Sequence, residues 1–402
     1  MELSFKIGTR TQEVCVPEKS LLSILEPNEV PVSQTGEDAV HWALEHPIGS
    51  PRLRHLVHPG EKIAIVSSDI TRHMPTWQVM PLLLDELYAA GATPADITLV
   101  FALGSHRSHT EAEKRHLAGE WAWNEISLVD LDTSDCIHIG TTTRGTPVDI
   151  DWRVAEADHR ICLGNIEYHY FAGYSGGAKA IMPGVSTRAA IQANHCHMVL
   201  PEACAGRLEG NPVQEDMEEA AAMVGVDFIL DVVLDAHKEI IHAVAGDMTA
   251  AHRAGRAFLD TLYRKPIPAQ ADIVLVSQGG APKDLNLYQT QKALDNAKHA
   301  VKPGGVIVLI GSCKEGLGEK NFEEWMLNAP TSHSLIERIQ KEFRLGGHKA
   351  AAIAMVLENA DIYIWSLTWM TVWSVSCSGS HIIPSKKPTR QPFVNAAPML
   401  LF

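Results

Sequence analysis

Between Gly164 and Gly184 the chain places His169, Lys179 and five glycines in 21 positions, directly after an apolar run. Glycine permits close backbone approach and positive φ, at a cost of about 0.5–1 kcal/mol in regular structure, so this density predicts a loop shaped around a ligand. Histidine titrates near neutrality and can take or give a proton. A partly buried lysine loses its proton more readily and becomes a nucleophile. His195 lies 16 positions beyond Lys179, in Asn194-His-Cys-His197. A neutral imidazole there suits a borderline metal such as nickel as well as it suits proton transfer. Spacing alone leaves these roles open.

Other loops offer further groups. Ser67-Ser-Asp-Ile-Thr-Arg72 brings Asp69, Thr71 and Arg72 together. The planar guanidinium fits a carboxylate or phosphate; the plainer alternative is a surface ion pair turning a loop. Leu103-Gly-Ser-His-Arg-Ser-His-Thr-Glu-Ala-Glu113 offers His106 and His109 ahead of a helix that Thr110 and Glu113 can start as a capping box. Without a HExxH-type pattern, zinc is the weaker reading of these histidines. Further on, Tyr288, Gln289 and Lys292 fall where Tyr288 and Lys292 share one face of an expected helix, able to hold a substrate carboxylate or simply to face water. No phosphate-loop signature is present, so an ordinary nucleotide fold is poorly supported.

The elements that must position these groups follow from hydrophobic patterning. Short β-branched runs at 62–67, 96–102, 159–164, 272–277 and 305–310 alternate with amphipathic helical stretches, the pattern of parallel-sheet α/β architecture. Thr76 is expected to cap a helix ending at Gly91, and Ser186 or Thr187 the helix carrying His195. Every notable motif follows a strand, where open α/β sheets bind ligands. The proline-containing stretch 262–270 reads as a connection, giving an N-terminal α/β domain over 1–265 with the lysine and histidines, and a C-terminal α/β domain over 266–402. The expected fold is therefore two α/β domains with largely parallel sheets, and an active site in the cleft between them.

Composition narrows the partners. A formal net charge of -14 argues against nucleic acid, which needs a basic patch. Seven scattered cysteines without a CxxC pair favour free thiols in a reducing cytoplasm, and the N-terminus lacks the features of a signal peptide.

Taken together, the loops resemble the nickel-pincer lactate racemase family over about residues 5–365. The likeness rests on Ser68-Asp-Ile-Thr-Arg72, Gly104-Ser-His-Arg107, His169 through Gly184, Asn194-His195 and Tyr288-Gln-Thr-Gln-Lys292. It implies a racemase that interconverts the enantiomers of a 2-hydroxy acid, with lactate as the default substrate, by proton-coupled hydride transfer. The implied cofactor is a nickel-pincer nucleotide (pyridinium-3-thioamide-5-thiocarboxylic acid mononucleotide) joined covalently to Lys179, with His195 as the protein ligand to nickel. By the same resemblance His106 and His169 are the two acid/base histidines. Asp69, Thr71, Gly176 and Gly177 would hold the cofactor, and Arg72, Tyr288, Gln289 and Lys292 the substrate. Cofactor-making enzymes would be the maturation partners; neither nucleic acid nor membrane is expected.

The tail departs from this pattern. After Ala360-Asp-Ile-Tyr-Ile-Trp365 comes an uncharged Trp/Ser run, with Trp365, Trp369 and Trp373 close together. Beside a membrane-spanning helix or a buried strand and helix, a shifted reading frame near Ser366 accounts for composition without periodicity. Competing functions are a racemase or epimerase of another 2-hydroxy acid, a zinc-dependent hydrolase or lyase using His106, His169 and His195, and a non-catalytic nucleotide-binding protein.

Overall fold

The computed structural model describes residues 1–366, together with the strand segments at 372–375, 385–386 and 399–401. The chain divides into two compact units, one of residues 28–264 and one combining residues 1–27 with 265–402.

The 28–264 unit is built on a six-stranded sheet in the order Ile240–Gly246, Phe228–Leu234, His159–Asn165, Ile63–Ser68, Ile97–Ala102, Ser127–Asp130. All neighbours are parallel except the first pair. Its inner strands are almost continuously apolar, as strands covered on both faces must be. Helices Gly36–Glu45 and Thr76–Ala89 send Val40, Leu44, Val79, Leu83 and Leu87 into one core with Ile63, Ile65, Leu99 and Ile161. Each such fully buried side chain contributes about 1.5–3 kcal/mol.

From Ile63–Ser68 the chain runs outward through Ile97–Ala102 to Ser127–Asp130, then returns to place His159–Asn165 on the other side of its starting strand. Loops leaving Ile63–Ser68 and His159–Asn165 thus diverge, which opens a crevice at their carboxyl ends. Thr76, expected as a cap, is instead the first helical residue after Pro75; its Oγ1 bonds Ser67 Oγ at 2.6 Å and ties the helix start to the strand end.

In the other unit the sheet order is Ser385–Lys386, Val372–Val375, Ala360–Trp365, Val301–Ile310, Ala271–Ser277, Met399–Leu401, Leu21–Ile24. Residues 1–27, expected to belong to the N-terminal domain, pack here. The reason is apolar alternation in the hairpin Glu2–Ile7 and Arg10–Cys15: Phe5 and Ile7 need cover and share a core with Ile273, Leu275, Val308 and Ile310. At the hairpin turn, Gly8 N–H donates to Asp284 Oδ2 at 2.7 Å, across 276 residues of sequence. Apart from the strand segments, the Trp/Ser tail lies outside the described residues, and so does the shifted-frame reading of it. Among the described residues no helix is long and apolar enough to cross a membrane.

Candidate functional site

Asp69 leaves the strand Ile63–Ser68 with its side chain buried, in a turn closed by Arg72 N–H donating to Asp69 O at 3.0 Å. Thr71 Oγ1 donates to both carboxylate oxygens, at 2.8 and 3.1 Å, and His106 Nδ1 lies 2.6 Å from Asp69 Oδ2. Burial pushes the Asp69 carboxyl up, but the hydrogen bond and charge of His106, the Thr71 hydroxyl and the Arg72 charge more than offset it, so the group sits below its ordinary range. An ionised Asp69 only accepts, so His106 donates from Nδ1–H, and the neutral form of the ring carries its lone pair on Nε2. Asp69 and Thr71, which the resemblance assigns to the cofactor, hydrogen-bond to each other, and Asp69 to His106. Arg72 is exposed, and among the described residues its guanidinium has no hydrogen bond or ion pair.

The two histidines of the Gly104 loop separate cleanly. His109 Nδ1 bonds Asp130 Oδ1 at 2.7 Å, and its Nε2 accepts from Ile70 N–H at 3.1 Å. Both ring nitrogens are occupied and the side chain is 1% exposed, so His109 is a brace for the 69–72 turn. His106 keeps a quarter of its side chain exposed. Thr110 and Glu113 form the expected capping box on the helix Glu111–Glu125.

The glycine-rich segment continues from the strand His159–Asn165 into the small hairpin of Tyr168–His169 and Gly173–Tyr174, then the single turn Gly177–Ala180 that carries Lys179. At Gly176 and Gly177 φ is +81° and +53°, and an added Cβ would lie 2.7 Å from Asp231 Oδ2 and 2.9 Å from the His252 ring. These two glycines are therefore required by the protein packed beneath the loop. Gly177 N–H donates to Asp231 Oδ2 at 2.9 Å, and His252 Nε2 donates to Ser175 O at 2.8 Å. Burial raises the Asp231 carboxyl to about 7 and lowers His252 to about 4, so His252 is neutral at physiological pH. Asp231 is the lone charge in the fully buried strand Phe228–Leu234, a signal that sequence reading passed over.

Lys179 is the most perturbed of the expected groups. Its amine is crowded by protein although part of the residue reaches the surface; desolvation, helped by the Arg72 charge, lowers its pKa to about 7. Among the described residues it has no hydrogen bond or ion pair. A neutral amine therefore makes up about half the population at pH 7, which is the state a nucleophile needs.

His195 ends the helix Arg188–His195, capped as expected by Thr187, whose hydroxyl accepts from Ala190 N–H. Its Nδ1 lies 2.8 Å from Asn194 Oδ1. The Phe171 ring stands 5.0 Å from that of His195 and 4.5 Å from that of His169, linking the two histidines through one aromatic. Ala172 N–H donates to His169 Nδ1 at 3.2 Å, so the neutral His169 ring holds its hydrogen on Nε2, the reverse of His106. No group of three or more His, Cys, Asp or Glu side chains among the described residues could hold a metal ion. The zinc reading built on His106, His169 and His195 thus lacks a donor set. A metal held by His195 needs further donors from a bound group.

Tyr288, Gln289 and Lys292 lie in the other unit. The expected single helix is two short ones, Leu287–Thr290, capped by Asn286, and Lys292–Ala297. Lys349 Nζ donates to Tyr288 O at 2.7 Å and stands 3.7 Å from the centre of its ring, a buried cation that sequence reading did not flag.

Known proteins resemble this chain in sequence and in fold. Residues 7–206 match the lactate racemase N-terminal domain and residues 267–348 the lactate racemase C-terminal domain. A lactate racemase from Thermoanaerobacterium thermosaccharolyticum is 37% identical over 316 residues, covering 77% of this chain and 73% of that protein. One from Lactiplantibacillus plantarum is 37% identical over 291 residues, covering 71% and 68%. The structure of the Thermoanaerobacterium apoprotein superposes with a TM-score of 0.81 at 33% identity, covering 91% of this chain and 88% of the other. A Thermotoga maritima protein shares the fold at 17% identity, with a TM-score of 0.61 and coverage of 91% and 96%. With both domains matched and the strand-end loops in place, the chain belongs to the lactate racemase family.

Proposed function

We propose that the chain interconverts D- and L-lactate on a nickel-pincer nucleotide carried by Lys179. The observation that carries this reading is the Lys179 amine, desolvated by burial, without a hydrogen bond or ion pair among the described residues and brought to a pKa of about 7 with the help of the Arg72 charge. His195 would ligate the nickel. When bound, the group supplies an acceptor for the hydrogen on the lactate α-carbon, which leaves as hydride because no side chain is basic enough to take it as a proton.

The remaining work falls to side chains. Arg72 offers an uncommitted planar cation to the substrate carboxylate. His106 Nε2 takes the hydroxyl proton from one enantiomer, and Asp69 holds the ring and stabilises the imidazolium that forms. His169 serves the opposite enantiomer, since a racemase of this type needs a base on each side of the substrate. Tyr288, Gln289 and Lys292 are proposed as further substrate-binding residues. Asp69→Asn is expected to lower kcat by about 10–10³-fold with little change in KM, because Asp69 acts through His106; steady-state kinetics at saturating lactate check this. We further propose a cytoplasmic enzyme matured by cofactor-making partners, on the six free cysteines among the described residues.

Co-expression with the cofactor-making enzymes and nickel, followed by a chiral assay over a panel of 2-hydroxy acids, tests the reading. Pure D- or L-lactate is expected to reach an equal mixture, with a mass adduct on the peptide containing Lys179. An adduct with no enantiomer interconversion on any acid would leave a nucleotide-binding protein; interconversion of a different acid alone would reassign the substrate.

A further inference from the structure

Asp216 is buried in the helix Pro212–Val224 and takes no part in the chemistry above. Three donors converge on it: Thr142 Oγ1 at 2.5 Å, Thr146 Oγ1 at 2.7 Å and Asn194 Nδ2 at 2.7 Å. Asn194 Nδ2 also donates to Val213 O at 3.1 Å. With acceptors on both sides, that end of the Asn194 amide must be its NH₂; the flipped amide would set oxygen against two oxygens in a buried site. Oδ1 must then face His195, 2.8 Å from Nδ1. A carbonyl oxygen accepts only, so Nδ1 carries the hydrogen and Nε2 the lone pair. The chain Thr142 and Thr146 to Asp216, Asp216 to Asn194, and Asn194 to His195 admits one assignment of hydrogens.

We propose that Asp216 and Asn194 are positioning residues for the nickel, selecting the His195 tautomer whose Nε2 can ligate it and aiming the ring before the metal arrives. This rests on His195 being the protein ligand. In water the neutral histidine ring favours hydrogen on Nε2, the wrong form for a ligand at that atom. A buried hydrogen-bond partner that fixes the other nitrogen removes the need to change tautomer on binding, and such supports are worth about 10–100-fold in metal affinity.

The test uses histidine labelled with ¹³C and ¹⁵N in the apoprotein, with the His195 signal identified by its loss in His195→Gln. The wild-type ring is expected to show the Nδ1–H tautomer. Asn194→Ala is expected to shift it to a mixture dominated by Nε2–H and, in cofactor-loaded protein, to speed nickel loss to a chelator by about 10–100-fold. A wild-type Nε2–H tautomer, or an unchanged tautomer in Asn194→Ala, overturns the proposal; the wild-type measurement decides it even if the variant does not fold. Nickel retained undiminished by His195→Gln would instead overturn the ligand assignment, whatever the tautomer.

Discussion

Lys179→Arg is expected to yield a folded protein that carries no adduct and has no racemase activity when produced with nickel and the cofactor-making enzymes. Arginine keeps the charge and most of the length of lysine but does not lose its proton, so it cannot supply a nucleophilic nitrogen. Intact mass reads the adduct, and thermal unfolding confirms that the fold survives. The same group makes a pH prediction. With a pKa of about 7, the neutral amine accumulates above pH 7. Labelling of Lys179 in the apoprotein by a small acylating reagent should rise with pH and reach half its plateau near 7, where an ordinary lysine does so near 10.4. A midpoint near 10 would mean that the amine is not pre-activated. Attachment also removes a charge that burial opposes, so loading the protein relieves an electrostatic cost present in the apoprotein.

His106→Ala and His169→Ala are expected to reduce racemisation by about 10²–10⁴-fold each while leaving the Lys179 adduct intact. Their partial reactions should differ. Loaded with cofactor and given one pure enantiomer, each variant should still form enzyme-bound 2-oxo acid from the enantiomer whose base remains, and the two variants should choose opposite enantiomers. Acid quench and quantification of the 2-oxo acid read this directly. If both variants lost the same enantiomer, the bases would not lie on opposite sides. His106 offers its Nε2 lone pair directly, whereas the neutral His169 ring must give up the Ala172 N–H contact and move its hydrogen from Nε2 to Nδ1 before Nε2 can act as a base.

Much of the 28–264 unit was legible because its strands are short apolar runs and its candidate functional residues follow them directly. Asp69, His106, His169 and Lys179 could be picked out by type and by place after a strand. The supports were harder to see. Asp231 and His252 lie more than fifty residues downstream of Gly176 and Gly177, and only the folded backbone brings them under that part of the glycine loop. Separating His106 from His109 required partners: Asp130 and the Ile70 amide occupy both nitrogens of His109, and no local pattern announces them. The helix expected at 288–292 takes the form of two short segments that meet at Gln291, whose φ of −51° and ψ of −29° stay right-handed helical.

The excursion of residues 28–264 out of the other unit has a consequence for biosynthesis. The hairpin of Glu2–Ile7 and Arg10–Cys15 leaves the ribosome well before the strands that cover Phe5 and Ile7, which begin at Ala271. At about 5–20 residues per second, the hairpin waits on the order of ten to fifty seconds for them. During that interval the intervening residues can complete their own core, because every strand of their sheet is already in the nascent chain. Synthesis thus favours a vectorial order in which the unit bearing Lys179 and the histidines matures first, and the apolar hairpin is the segment a chaperone would have to shield.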